Sequence, residues 1–360
     1  AAEIVDAFTE PIRVGRRFFQ VRPSVGVVID ERPAGAAKRG DGSHLLAHAD
    51  VAMYEAKTSK AVHDVPVTVL AGAARAAAAA TIHMREEIGT PDLGQFRVEY
   101  QPIVDLHTGE IAAAEALLRW RHPDFGEVGP STFIPLAERV GSVTLLGDHV
   151  LRLALDDLAT WSRAGGTLSV SVNISPRQLS DPSLAAAVVA LLAERGLDAD
   201  RLVLEVTEEA LVDDIEAVVE TIAALRAAGL SVAVDDFGTG YSSLRYLRRF
   251  EANIVKIDRE FVQASSTEPR TEALVRSVVS MAGALDLVCV AEGIETLEQL
   301  AIVRSHGCRL GQGFLLDRPM PAGALGHLLS AGHVYPVDVH PPPRQPAPQT
   351  ASVVSLHRAN

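Results

Sequence analysis

The chain has 360 residues, 48% hydrophobic and 22% charged, an ordinary globular composition with ample length to bury a core. Its 33 basic and 46 acidic residues leave a formal charge of −13, which argues against DNA or RNA as partners, since nucleic acid wants a basic face. Two cysteines, Cys289 and Cys308, exclude a disulfide scaffold and offer no zinc spacing; both sit in apolar runs and are expected in the core.

No uncharged apolar run reaches the ~18 residues of a membrane span, and the N-terminus lacks the pattern of a signal peptide. A cytoplasmic setting is expected, with a membrane-tethered parent protein if residue 1 is a cut point. Residues 1–62 combine strand-like patches at Phe18–Val21 and Ser24–Ile29, a Gly/Ala-rich loop at Ala34–Ser43 and a helix through Leu45–Lys60. Two strands cannot close a core, so this reads as a partial α/β fragment. Residues 63–92 are rich in alanine, the best helix former, and read as a helical connector, with a flexible hinge as the alternative.

From residue 93 to 333 the pattern becomes regular. Apolar, β-branched runs at Arg97–Val104, Glu110–Leu118, Thr167–Ile174, Arg201–Val206, Leu230–Val234, Asn253–Ile257, Leu287–Ala291 and Cys308–Gly313 read as strands. Helix-length stretches lie between most of them: Phe133–Arg163, Pro176–Arg195, Glu209–Ala228, Glu260–Leu285 and Leu297–His306. Alternation of this kind gives parallel βαβ units, and eight of them suit a (β/α)8 TIM-type barrel. Only Asp105–Gly109 joins the first two strands. A parallel crossover needs a dozen or more residues, so the first strand must be antiparallel to the second. Residues 334–360 turn proline-rich and are expected to be a disordered tail.

Barrel enzymes carry their chemistry at the C-terminal ends of strands. There the sequence places Glu115, Asn173, Glu205 with Glu208 beyond it, Asp235, Asp236, Lys256, Asp258, Glu292, Glu295 and Gln312. One acid at a strand end is commonly a helix cap or a solvated turn. Acids and amides converging from several strands are a different matter. Their mutual repulsion is relieved by hard divalent cations, and the absence of His and Cys favours Mg²⁺ or Mn²⁺ over zinc. Asp235 and Asp236 would face opposite sides of a regular strand, so the strand is expected to end there, with Gly238-Thr239-Gly240 forming the loop. Two adjacent carboxylates aimed into one site suit a pair of metals and phosphate-ester hydrolysis.

Glu115-Ala116-Leu117, extended by Leu118-Arg119-Trp120, resembles the signature of EAL-domain cyclic-di-GMP phosphodiesterases. The resemblance runs from about Phe96 to Ser330. It includes Gln101-Pro102, Asn173-Ile174-Ser175, Glu205-Val206-Thr207-Glu208, Asp235-Asp236-Phe237-Gly238-Thr239-Gly240, Lys256-Ile257-Asp258, Glu292-Gly293-Ile294-Glu295 and Gln312-Gly313-Phe314. It implies hydrolysis of cyclic di-GMP to linear pGpG, with two Mg²⁺ or Mn²⁺ ions held by Glu115, Asn173, Glu205, Asp235, Asp236 and Glu292. It further implies catalytic roles for Lys256, Glu115, Gln312 and Glu208, with Lys256 acting as base or as orienter of the attacking water. Gln101, Leu118, Arg119, Asp258, Glu295, Phe314 and Pro319 are implied in substrate binding, and a homodimer through the barrel is expected. Glu208 is set apart from the metal ligands as a brace for the loop Phe237–Ser243. An ion pair with a nearby carboxylate is the alternative for Arg119, and a receptor that binds without turnover is the alternative for the whole chain. Ser24-Val25-Gly26-Val27 and Ala49-Asp50-Val51-Ala52-Met53-Tyr54-Glu55-Ala56-Lys57 resemble the C-terminal part of a GGDEF cyclase domain. The GGDEF motif is missing, so no cyclase activity is expected.

Overall fold

In this computed structural model the described residues are 12–14, 17–19, 25–28, 67–70, 73–208, 215–238, 250 and 252–338. The helix expected over Leu45–Lys60, the loop at Ala34–Ser43, most of the loop after the paired aspartates and the proline-rich tail from residue 339 lie outside them. Two compact units are present, Ala1–Gln95 with Asp124–Val143, and Phe96–Pro123 with Thr144–Asn360.

In the first unit Ile12–Val14 pairs antiparallel with Arg17–Phe19, and Val25–Val28 pairs parallel with Val67–Leu70. The alanine-rich stretch forms helix α1 (Ala73–Gly89), which packs against α2 (Pro130–Val140). Proline opens α2 where a missing N–H costs nothing, and Gly141, at φ +87°, ends it by donating to the carbonyls of Ala137 and Glu138. The single helix expected over Phe133–Arg163 is therefore two, the second being α3 (Val143–Arg163).

The second unit is the barrel. Its strands are β1 (Phe96–Asp105), β2 (Ile111–His122), β3 (Ser169–Asn173), β4 (Leu202–Thr207), β5 (Ser231–Phe237), β6 (Ile254–Ile257), β7 (Val288–Ala291) and β8 (Leu310–Gly311). From β2 to β8 each neighbour pairs parallel, while β1 runs antiparallel to both β2 and β8 and closes the ring. The short β1–β2 connection is set by Asp105, whose Oδ1 accepts from the backbone N–H of His107 at 2.9 Å and Thr108 at 3.3 Å. The β-branched runs fill the wall: Val170, Val172, Val232, Val234, Val255 and Ile257 are all buried.

The outer helices are α4 (Pro176–Leu179), α5 (Leu184–Arg195), α6 (Ile215–Ala227), α7 (Arg259–Ala264), α8 (Pro269–Ala284), α9 (Leu297–Ser305) and α10 (Ala322–Ser330). The helix expected over Glu260–Leu285 is broken because Pro269 cannot sit in a helix interior and instead begins α8. β8 is shorter than the run Cys308–Gly313 suggested. The chain leaves the wall at Gln312 and rejoins β1 at Met320–Pro321, opposite Tyr100 and Glu99. Glycine is required at this departure, since a Cβ on Gly313 would lie 2.1 Å from the carbonyl oxygen of Ile294.

Candidate active site

The site grows from the C-terminal ends of the parallel strands, except that Glu115 lies inside β2, which runs on past the expected Leu118 to His122. β2 supplies Glu115, directly across from Gln101 of β1. β3 supplies Asn173, β4 Glu205 and β6 Lys256, while Glu292 follows β7 and Gln312 follows β8. Lys256, only 1% exposed, lies at the centre. Its Nζ is 2.6 Å from Glu292, 2.7 Å from Glu205, 3.3 Å from Asp235 and 3.5 Å from Glu115. Glu115 is fixed from both sides: Oε1 accepts from Asn173 at 3.0 Å, and Oε2 from Gln312 Nε2 at 2.7 Å. The same amide donates to Glu292 at 3.2 Å, so Gln312 bridges two carboxylates. Its buried carbonyl oxygen has no partner among the described residues.

The paired aspartates do not mark a strand end, as the sequence reading expected. β5 continues through both to Phe237. Its register against β6 shifts between Val234 and Phe237, and Asp236 takes φ +52°. A bulge with one left-handed residue cancels the alternation that would have sent the two side chains apart. Carboxylate oxygens of Asp235, Asp236 and Glu292 consequently lie within 4.8 Å of one another. Asp235 Oδ1 steadies the bend by accepting from the backbone N–H of Asp236 at 2.9 Å. Left-handed geometry costs a non-glycine residue of order 1–3 kcal/mol and is found where function holds it in place.

Burial, then repulsion from Glu115 and Asp235, lifts Glu205 well above the usual carboxylate range. Burial with the neighbouring acids brings Glu292 to about 8 against the pull of Lys256. Asp236 rises to about 6, through burial and then the charges of Asp235 and Asp258. Glu115 goes the other way. Burial alone would raise it, but Lys256, Gln312 and Asn173 hold it below the usual range. For Lys256 burial favours the neutral amine, yet the surrounding carboxylates outweigh it and keep an ammonium. Five carboxylates around one lysine are thus under-neutralised. The donors are carboxylate and amide oxygens without imidazole or thiolate, which fits Mg²⁺ or Mn²⁺.

The remaining expected residues divide. Glu208, 8% exposed, accepts from the backbone N–H of Gly238 at 3.3 Å, at the start of the loop after the aspartates. Asp258 is buried next to Asp236 and caps α7 by accepting from Glu260 N at 2.7 Å. Gln101 donates to the carbonyl of Asp317 at 3.0 Å and so ties down the excursion 312–319. That excursion carries exposed Phe314, with the Arg318 guanidinium 4.1 Å from its ring centroid, and half-buried Pro319. Glu295 is exposed and bonded to Gln263 at 3.0 Å.

Leu118 is the residue that the geometry sets apart. It is buried opposite Val98, and strand alternation puts its side chain on the face away from Glu115 and Arg119. Leu117 is the leucine that shares their face; counting parity along β2 identifies it. Arg119 is engaged with Glu99, Nε to Oε2 at 2.8 Å, and Glu99 was not among the expected site residues.

Fold and site together define a TIM-type barrel whose mouth gathers carboxylates and amides that could hold a metal ion. Residues 84–319 match the EAL domain family, and the chain belongs to it. Among relatives, it is 44% identical over 251 residues to the cyclic di-GMP phosphodiesterase NbdA of Pseudomonas aeruginosa, a match covering 69% of this chain and 32% of that protein. An uncharacterized signaling protein of Caulobacter vibrioides is 36% identical over 336 residues, covering 92% of this chain and 40% of its own length. The chain therefore spans well under half of these curated relatives. Among solved structures, the PaMucR phosphodiesterase in complex with c-di-GMP superimposes with a TM-score of 0.64 at 38% identity, covering 68% of this chain and 99% of that one. The EAL enzyme Bd1971 in its cGMP-bound form gives 0.67 at 32% identity, covering 71% of each chain.

Proposed function

We propose that the chain is a metal-dependent phosphodiesterase that hydrolyses cyclic di-GMP to linear pGpG. The observation that carries this reading is the convergence of Glu115, Glu205, Asp235 and Glu292 on one buried lysine at a barrel mouth, with Asp236 beside Asp235 and Glu292. The likeness to NbdA and to the PaMucR complex supports the substrate. Glu115, Asn173, Glu205, Asp235, Asp236 and Glu292 would hold two Mg²⁺ or Mn²⁺ ions, which offset phosphate charge and make bound water acidic near neutral pH.

The chain's own part is positional and protonic. Asn173 and Gln312 clamp Glu115 so that its oxygens stay directed into the mouth. Lys256, set among the carboxylates of Glu292, Glu205, Asp235 and Glu115, orients the attacking water or acts as its base. Gln312 uses its amide to bridge Glu115 and Glu292 and so fixes the two carboxylates relative to each other. Glu208 steadies the turn at Gly238 that follows the left-handed Asp236. Arg119, with its planar fork, receives an anionic or guanine edge of the ligand.

The test of the proposal is incubation with cyclic di-GMP and Mg²⁺, separating the products by chromatography. Conversion to a linear dinucleotide supports it. Cyclic dinucleotide bound and recovered intact overturns it in favour of a receptor.

A further inference from the structure

Glu99 and Arg119 form the best-defined ion pair outside the carboxylate cluster. They are 18% and 19% exposed, with Nε 2.8 Å from Oε2. The other oxygen of Glu99 accepts from Arg97 Nη2 at 2.9 Å, so one carboxylate anchors two arginines. Arg119 Nη1 donates to the carbonyl of Leu118 at 3.0 Å. Its remaining terminal nitrogen, Nη2, makes no hydrogen bond among the described residues.

The backbone beneath this pair is rigid. Glu99 is opposite Leu117 on one side and Pro321 on the other, so β1 is paired along both edges at this point. Strand parity puts Glu99 and Arg119 on the face that also carries Gln101 and Glu115. Arg119 is four residue steps along β2 from Glu115, about 13 Å along the wall at some 3.3 Å per residue. Arg119 therefore meets a part of the ligand remote from the carboxylates. An arginine left loose beside so many acids would be drawn to them, and a flexible side chain loses entropy when it first has to be ordered by the ligand.

We propose that Glu99 is a positioning residue: it holds the Nε edge of the Arg119 guanidinium while the Leu118 carbonyl takes Nη1, and so leaves Nη2 directed at the anionic portion of the dinucleotide that is not being cleaved. This deepens the phosphodiesterase reading and rests on it. Glu99 touches no reacting atom, so its removal acts on binding and not on the chemical step.

The experiment is steady-state kinetics on cyclic di-GMP with saturating Mg²⁺ for the parental chain, Glu99→Gln, Glu99→Asp, Arg119→Ala and the double variant Glu99→Gln/Arg119→Ala. Glu99→Gln is expected to raise KM about tenfold with kcat changed by less than about twofold, the pattern of lost binding without lost transition-state stabilisation. Glu99→Asp, which keeps the charge on a shorter stem, falls between parental and Glu99→Gln. The double variant is no worse than Arg119→Ala alone, because Glu99 acts only through Arg119. Unchanged KM in Glu99→Gln, a fall in kcat at constant KM, or effects that multiply in the double variant each overturn the inference while leaving the activity intact. If Glu99→Gln does not fold, Glu99→Asp decides by the same criteria. A parental chain that neither binds nor cleaves the dinucleotide overturns the functional reading and this inference with it.

Discussion

Replacing Lys256 by methionine removes the one cation from the centre of the site while keeping its volume. The ammonium lies within 3.5 Å of four carboxylates and is 1% exposed, so solvent does little to replace it. Removing one partner of a buried ion pair costs about 3–5 kcal/mol, because the charge left behind is uncompensated. Here the cost should sit at the low end below pH 7, since Glu205 and Glu292 already favour protonation and can take up protons in place of the lysine. For a domain of this size each kcal/mol corresponds to about 2–4 °C, giving a drop in Tm of roughly 6–20 °C in chelator. Bound Mg²⁺ replaces the missing charge, so most of the loss is recovered with the cation while turnover is not. Thermal unfolding followed by circular dichroism, with and without Mg²⁺, reads both effects. A Lys256→Met protein that melts within about 2 °C of the parental chain in chelator would refute the claim that the cluster is under-neutralised.

Glu115→Ala and Asp235→Ala should abolish turnover and lower Mg²⁺ affinity with the barrel still folded; near-parental activity at saturating metal would remove them from the ligand set. Glu208→Gln weakens one long charge-assisted bond, to Gly238 N at 3.3 Å, worth about 1.5 kcal/mol at most. The Mg²⁺ concentration for half-maximal rate should accordingly rise by up to about tenfold; an unchanged metal requirement with full turnover would show that Glu208 does not support the metal site. In the metal-free protein the folded-state pKa of Glu292, about 8, lies above the ordinary 4.5. Its contribution to stability is complete below the ordinary value and is lost as pH rises toward 8, while Mg²⁺, competing with that proton, binds more tightly over the same window. Calorimetric Mg²⁺ affinities that do not change between pH 6 and 8 would contradict this.

The acidic mouth was legible because strand-end positions are local. An apolar β-branched run followed by an acid can be read off a sequence once the barrel period is seen. The antiparallel first strand was equally legible, from the five residues that leave no room for a crossover. What was not legible depends on distant partners. The left-handed Asp236 and its bulge are imposed by the neighbouring strand, so the sequence suggested a strand end where the strand in fact continues. The contacts of Lys256 join residues far apart in the chain, and no spacing rule reports them. The Glu99–Arg119 pair spans two antiparallel strands, and its register became available only with the β1–β2 pairing. Two features do have local signals: Pro269 marks a helix start, and parity along β2 puts Leu117, not Leu118, on the face of Glu115 and Arg119. Asp258, directly ahead of α7, carries the same kind of signal as an N-cap.

The most direct test of the central claim, that this oxygen-lined mouth cleaves a phosphodiester with divalent cations, is a metal titration starting from chelated protein. Product formation from cyclic di-GMP is followed as Mg²⁺ is added and then withdrawn with excess chelator. The account predicts no pGpG before Mg²⁺, a rise as the ion saturates the carboxylates, and arrest when it is removed. Sustained cleavage in excess chelator would contradict it.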